Sequence, residues 1–417
     1  MGKIFVEGGH SLNGKIEISG MKNSALPIIF ACLLVEGDCI LENIPRVSDV
    51  QNSLTILKKM GADADFIDEH TIKINTKNAS ASSLDFELIS KMRASSYLMS
   101  TCLRRFGNIL MPYPGGCNFG SRPIEQHIKG FEALGAKCIL DDEVVSLKCD
   151  KMISNAKIVL DKISVGATIN MIMASVIGDG ETVIENVAKE PHVLDVVSFL
   201  NICGADIRVF DNKIRVVGVN KLKGIRYKIY SDMIEALTFV CCLGVAGGEI
   251  ALQNAEYDHL LCVLPLFEKI GIHHRFTNGN LYFKREKTPI GASVVTAPYP
   301  AFPTDLHPQF SSLLCYCEGG GSVTEQIFPN RFAYVDELRK MGAKISRISN
   351  KVTIEKATLN ASCIDATDLR AGAALIVASL GADGISTINN VDYILRGYEG
   401  LVSKLEAVGA HISWDIK

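Results

Sequence analysis

The chain has 417 residues, 47% of them hydrophobic, so it can bury a large core and is long enough for two or three domains. A formal net charge of −3 excludes a general attraction to nucleic acid or anionic membrane; an anionic ligand must be held by local clusters of arginine and lysine. Thirteen cysteines, an odd count with no C-x-x-C pair, read as reduced thiols of a cytoplasmic protein rather than as a disulfide framework or a metal centre.

Taken in chain order, the amino terminus Met1-Gly2-Lys3-Ile4-Phe5-Val6-Glu7 has no apolar core of the signal-peptide kind. No stretch approaches the roughly 20 apolar residues of a membrane span. Beyond it a pattern repeats. Met60-Gly61-Ala62, Leu134-Gly135-Ala136, Cys203-Gly204-Ala205, Ile270-Gly271-Ile272, Met341-Gly342-Ala343 and Val408-Gly409-Ala410 each close an amphipathic run where a helix C-cap glycine belongs. The six glycines are 67 to 74 residues apart, a repeat of supersecondary size. About two dozen residues before each lies a glycine turn opening a β-rich segment, as in Gly37-Asp38-Cys39-Ile40-Leu41-Glu42-Asn43 and Gly248-Glu249-Ile250-Ala251-Leu252-Gln253-Asn254. After each capping glycine comes a strand pair. The predicted unit is helix, strand, helix, strand, strand, six times over. Six such units share their apolar helix faces most simply as two groups of three, with a break near Val219 to Gly224 and a cleft between two lobes for a ligand.

Between the strand and helix of the second unit, Met111-Pro112-Tyr113-Pro114-Gly115-Gly116-Cys117-Asn118-Phe119-Gly120-Ser121-Arg122-Pro123 mounts a cysteine on a glycine-rich loop. Gly115 and Gly116 permit backbone conformations closed to other residues, and Arg122 brings a fixed positive charge near the thiol, which favours its ionised form. The alternative is a small residue buried after a turn. Further on, Asp305 in Pro303-Thr304-Asp305 stands where a helix N-cap also fits.

Ser19-Gly20-Met21-Lys22-Asn23-Ser24-Ala25-Leu26-Pro27 resembles the amino-terminal signature of the enolpyruvyl transferases. The resemblance continues through Lys91-Met92-Arg93-Ala94-Ser95, Pro114-Gly115-Gly116-Cys117, Arg122-Pro123, Ser164-Val165-Gly166-Ala167-Thr168 and Glu190-Pro191. It goes on through Phe302-Pro303-Thr304-Asp305, Asn330-Arg331-Phe332, Ala366-Thr367-Asp368-Leu369-Arg370 and Arg396-Gly397-Tyr398-Glu399, in order over essentially the whole chain. The Pro-Gly-Gly-Cys loop is similar to the branch of that family that acts on a nucleotide sugar. The fold this implies is an α/β, two-domain inside-out barrel. Residues 22–224 form the domain that carries the cysteine loop, and 1–21 plus 225–417 form a second, discontinuous domain, each of three units.

The resemblance also implies an activity: transfer of the enolpyruvyl group of phosphoenolpyruvate to the 3-hydroxyl of UDP-N-acetylglucosamine, with release of phosphate, in peptidoglycan precursor synthesis. It implies no metal and no organic cofactor, no nucleic-acid or membrane partner, and a monomer or weak homo-oligomer. By the same resemblance Cys117, Asp305 and Lys22 are catalytic, with Cys117 the proton donor and Asp305 the base at the sugar hydroxyl. Lys22, Asn23, Arg122 and Arg396 hold phosphoenolpyruvate. Arg93, Arg122, Pro123, Ile124, Glu125, Gln126, Lys162, Ile163, Ser164, Val165, Gly166, Asp305 and Ile327 contact the nucleotide sugar, and Arg370 lines a charged cleft.

Several positions depart from the family pattern: Met21, Met233, Ala301, His307, Pro329, Tyr393 and Leu395 stand where alanine, arginine, glycine, glutamine, glutamate, histidine and aspartate are usual. Two alternatives stay open on these grounds: an enolpyruvyl transferase with another nucleotide or sugar acceptor, and a non-catalytic paralogue that binds nucleotide sugar.

Overall fold

The structure is a computed structural model and describes residues 2–115, 124–141 and 143–415. Local chemistry builds the predicted unit six times. The first runs as helix Lys22–Ala31, strand Asp38–Glu42, helix Ser48–Lys59 and strands Asp63–Phe66 and Ile72–Asn75. All six capping glycines have positive φ, from 89° at Gly135 to 110° at Gly204, a conformation that a side chain would strain. A second left-handed position recurs at the end of the first strand of four units, at Asn43, Asn186, Asn254 and Asn390, with φ between 57° and 60°. Asparagine tolerates this conformation, and three of these side chains donate to backbone carbonyls, Asn43 to Ile229, Asn186 to Leu160 and Asn254 to Ile18.

The sixth unit is completed from the far end of the chain. After helix Leu369–Ser379, strand Ile385–Asn389, helix Leu401–Ala407 and strand His411–Asp415, the central strand is Lys3–Glu7. It pairs antiparallel with both, setting Ile4 opposite Ile388 and Trp414. In five of the six units the sheet also gains a fourth strand, parallel to the first strand of the unit; Leu12–Glu17 beside Gly248–Gln253 is one example. The sheet of the second unit has three strands: where a fourth would lie, residues 81–96 form short helical turns. A cavity of about 540 Å³ opens there, lined by Phe86, Glu87, Ser90, Lys91, Pro112, Glu143 and Val144, and it holds none of the candidate site residues.

Among the described residues the chain divides into two compact units, one of residues 20–230 and one of residues 2–19 and 231–415. The first extends past Gly224, where the sequence predicts its end, because strand Arg226–Lys228 pairs with Asp38–Glu42 and Tyr230 accepts a hydrogen bond from the Met21 amide at 2.7 Å. In each, helices lie inside and sheets outside. Every residue of Leu369–Ser379 is buried, as are nine of the ten in Lys22–Ala31, whereas Lys351–Glu355 alternates exposed and buried. A helix buried on every side has to be surrounded, and Met233–Ala246, His307–Leu314 and Leu369–Ser379 pack on one another. Fully buried side chains such as Phe239, Phe310 and Leu375 each contribute about 1.5–3 kcal/mol, so the helical core outweighs any single surface contact. No helix in the described residues is long and apolar enough to cross a membrane.

Candidate active site

In the unit of residues 20–230, Lys22 is the first residue of its helix and is 9% exposed. Its Nζ donates to Asp49 Oδ2 at 3.1 Å, from the first turn of helix Ser48–Lys59, where a carboxylate also suits the helix dipole. The sequence did not single out Asp49, 27 residues away. Breaking a buried ion pair from one side leaves the other charge in a poor medium, so Asp49→Ala is expected to cost about 3 kcal/mol of stability, read by denaturant unfolding. A variant as stable as the parent would show that the pair is not the holder of Lys22. Asn23, next in the helix, is half-buried.

Arg93 opens the turn Arg93–Ser96 and is half-buried. Burial first, and the nearby Arg93 charge second, press the His127 ring down to about 3. His127 is 3% exposed, and neither ring nitrogen has a hydrogen-bond partner among the described residues. It stands so close to Gly166 that a Cβ there would come within 2.9 Å of Nε2, so Gly166 is needed for its lack of a side chain. Arg93, His127 and Gly166 are thus brought together, and His127 is the member that the sequence passed over.

Of the described residues of this unit predicted for the nucleotide sugar, Ile124 to Gln126 lie at the start of helix Glu125–Ala133, and Lys162 to Gly166 lead into helix Val165–Ser175. Ile124 is buried, Glu125 exposed and Gln126 half-buried. Gln126 is tied to Asp161, donating to its carboxylate at 3.1 Å and accepting from its amide at 2.7 Å. Lys162 and Ile163 are exposed, Val165 is half-buried, and Ser164 caps helix Val165–Ser175 by accepting from the Ala167 amide at 3.3 Å. Cys117, Arg122 and Pro123 lie outside the described residues. Gly115 corrects one expectation. Its φ is not in the left-handed region; what requires glycine is the Ser90 carbonyl, 1.6 Å from where a Cβ would stand.

In the unit of residues 2–19 and 231–415, Asp305 sits in the turn Thr304–Leu306, and neither that turn nor the following helix has a side-chain cap. The helix-cap alternative therefore fails. The carboxylate is clamped instead: Arg331 Nη2 lies 2.8 Å from Oδ1 and Arg370 Nη2 3.0 Å from Oδ2. Burial pushes the carboxyl up, but the two guanidinium groups outweigh it and hold the group well below the usual carboxylate range. Arg370 is 3% exposed and is set in place by Asp368, which caps the helix by accepting from the Arg370 and Ala371 amides at 2.9 and 3.0 Å. Arg331 also donates to Thr304 Oγ1 at 2.9 Å.

Behind this clamp stands Glu325, fully buried and not predicted. It accepts from Thr296 and Thr304 hydroxyls at 2.8 Å each, from the Ile327 and Phe328 amides at 2.7 and 3.0 Å, and from His307 Nδ1 at 3.1 Å. Burial raises its carboxyl, but His307 and the amide donors prevail and hold it at about 2. Glu325 thereby fixes both the neighbour of Asp305 and the backbone of half-buried Ile327. Its signal was in the repeat: it follows the strand Glu318–Thr324 at the place where four other units carry a left-handed asparagine. His307, a departure from the family pattern, is fully used, since Nε2 takes the Tyr334 hydroxyl at 2.8 Å. Met233 is buried at the start of the helix that Asp232 caps, Pro329 and Tyr393 are exposed, and Leu395 is half-buried, as is Arg396 at the end of helix Asp392–Leu395.

A six-unit fold with helices inside the sheets is that of the enolpyruvyl transferases. The enolpyruvyl transferase NikO from Streptomyces tendae superposes with a TM-score of 0.89 at 22% identity over 99% of this chain and 98% of that one. An EPSP synthase from Acinetobacter baumannii does so with a TM-score of 0.74 at 16% identity, covering both chains completely. The chain belongs to the EPSP synthase (3-phosphoshikimate 1-carboxyvinyltransferase) family, whose model matches residues 6–405. Among its relatives are UDP-N-acetylglucosamine 1-carboxyvinyltransferase 3 of Caldanaerobacter subterraneus subsp. tengcongensis, 39% identical over 414 residues, and UDP-N-acetylglucosamine 1-carboxyvinyltransferase of Halothermothrix orenii, 40% identical over 413, each covering 99% of both chains.

Proposed function

We propose that this chain transfers the enolpyruvyl group of phosphoenolpyruvate to the 3-hydroxyl of UDP-N-acetylglucosamine with release of phosphate, the first committed step of peptidoglycan precursor synthesis. The full-length likeness to relatives named for that reaction supports the substrates. Of the geometry, the observation that carries it is Asp305 held ionised between Arg331 and Arg370. Acceptor and donor of phosphoenolpyruvate chemistry are both anionic or become so, and a transferase of this kind needs fixed cations and a fixed proton acceptor rather than an electron carrier.

The reaction is addition followed by elimination. Cys117 gives its thiol proton to the methylene carbon of phosphoenolpyruvate, and the adjacent carbon becomes cationic. The sugar 3-oxygen bonds to that carbon as its proton passes to Asp305. A carboxylate held so acidic is a weak base toward a free alcohol; it suffices because the hydroxyl becomes strongly acidic as its oxygen bonds to a cation. The tetrahedral intermediate then breaks its carbon–phosphate-oxygen bond, phosphate leaves, and a proton of the new methyl group returns to the Cys117 thiolate, which restores the acid. Lys22, Asn23, Arg122 and Arg396 are assigned to the carboxylate and phosphate, as guanidinium forks and an ammonium point charge suit such groups. Arg93, Arg122 to Gln126, Lys162 to Gly166 and Ile327 are assigned to the nucleotide sugar, and Arg370 to the charged surroundings of Asp305. The substrates are soluble metabolites, in keeping with a cytoplasmic enzyme.

Phosphate release from phosphoenolpyruvate with a panel of hydroxyl acceptors tests the reading. Turnover with UDP-N-acetylglucosamine is expected. Turnover with a different acceptor alone would overturn the substrate, and nucleotide-sugar binding without any phosphate release would overturn the reaction.

A further inference from the structure

The strand that completes the sixth unit ends at Glu7, directly opposite His411, the first residue of strand His411–Asp415. His10 follows three residues on and lays its ring against that of His411, with centroids 3.5 Å apart and planes 18° from parallel. One oxygen gathers the group. Glu7 Oε2 accepts from His411 Nδ1 at 3.0 Å and lies 3.7 Å from His10 Nε2. We infer that Glu7, His10 and His411 form a binding site for one divalent transition-metal ion, with zinc the representative, at the seam between the two ends of the chain.

Geometry and donor chemistry both support the assignment. A tetrahedral zinc ion with bonds of about 2.0–2.1 Å needs its ligand atoms about 3.3 Å apart. The two separations above fall on either side of that value, and one candidate ligand atom from each residue lies within 4.8 Å of the others. Binding requires the stacked rings to part and turn their nitrogens toward one point, a movement open to side chains that are exposed, or half-buried in the case of His10. Two imidazoles and a carboxylate suit zinc, nickel or copper, whereas calcium and magnesium prefer an all-oxygen set. Solvent supplies the fourth position. None of the three residues takes part in the proposed reaction, so the ion acts on the fold. It ties Glu7 and His10 to a residue some 400 positions later in the chain, across the pairing by which the sixth unit closes. An ion that binds only the folded chain stabilises it by mass action.

The test uses tag-free, chelator-treated protein titrated with zinc chloride, followed by calorimetry and by thermal unfolding. One equivalent is expected to bind, and at about a hundredfold excess over Kd the unfolding temperature of this unit is expected to rise by roughly 5 °C. His411→Ala and His10→Ala should each weaken that binding by at least about tenfold and remove the rise, with phosphate release unchanged. His10 lies outside the strands, so its variant tests the ion without disturbing the strand pairing. Binding that is absent, or a zinc-induced rise that persists in both variants, would overturn the site.

Discussion

Asp305→Ala is expected to lower turnover by at least about a thousandfold, because it removes the acceptor of the hydroxyl proton and the charge that orders two arginines at once. Arg331 and Arg370 are 5% and 3% exposed, and their guanidinium groups approach opposite oxygens of one carboxylate. Without that carboxylate two buried cations face each other. Loss of one side of a fully buried pair costs 3–5 kcal/mol; Asp305 itself is a quarter exposed, so about 2 kcal/mol is the expected loss of stability here. The two effects are separable with Asp305→Asn, which keeps the shape and loses the charge. It should recover part of the stability and none of the turnover, compared by denaturant unfolding and phosphate release. An asparagine variant that turns over near the parent rate would remove Asp305 from the proton path.

Cys117→Ser is expected to lose nearly all turnover, while Cys117→Asp retains a measurable fraction. The reason is acidity: a donor must carry a transferable proton, and a serine hydroxyl is far too weak an acid where a thiol or carboxylic acid is adequate. The pH profile supplies the sign. A general acid works in its protonated form, so activity falls as pH rises through its pKa, from about 8.5 for an ordinary thiol to about 4 for aspartate. The alkaline limb of Cys117→Asp should therefore move to lower pH, and an unmoved limb would assign it to another group. The other cysteines offer no competing acid of this kind. Nine of the twelve described are buried, and burial pushes Cys102, Cys315 and Cys317 up to about 12. Exposed Cys363 is the control: Cys363→Ser should leave turnover unchanged.

Features set by a residue and its immediate neighbours were legible in the sequence. The six capping glycines announced themselves because positive φ is a property of one residue, and their spacing disclosed six units. Candidate site residues were legible as motifs, yet which side chain pairs with which was not. Nothing near Asp305 points to Arg331 or to Arg370, 65 positions on, and nothing near Lys22 points to Asp49. Glu325 was overlooked because a glutamate at a strand end is ordinarily solvated. Only the convergence of Thr296, Thr304, His307 and two amides makes it a buried anchor.

The sequence by itself determined the repeat and the residue types that phosphoenolpyruvate chemistry requires, and it pointed to the helix-inside order only through its resemblance to a known family. The repeat and the residue types are local matters of backbone sterics, periodicity and side-chain charge. Tertiary structure alone decided that Lys3–Glu7 closes the sixth unit, that five sheets take a parallel fourth strand and that one carboxylate is shared by two arginines. Each of those joins residues whose separation along the chain carries no signal of their meeting, since hydrogen bonding and ion pairing act over a few ångströms of space and are blind to sequence distance.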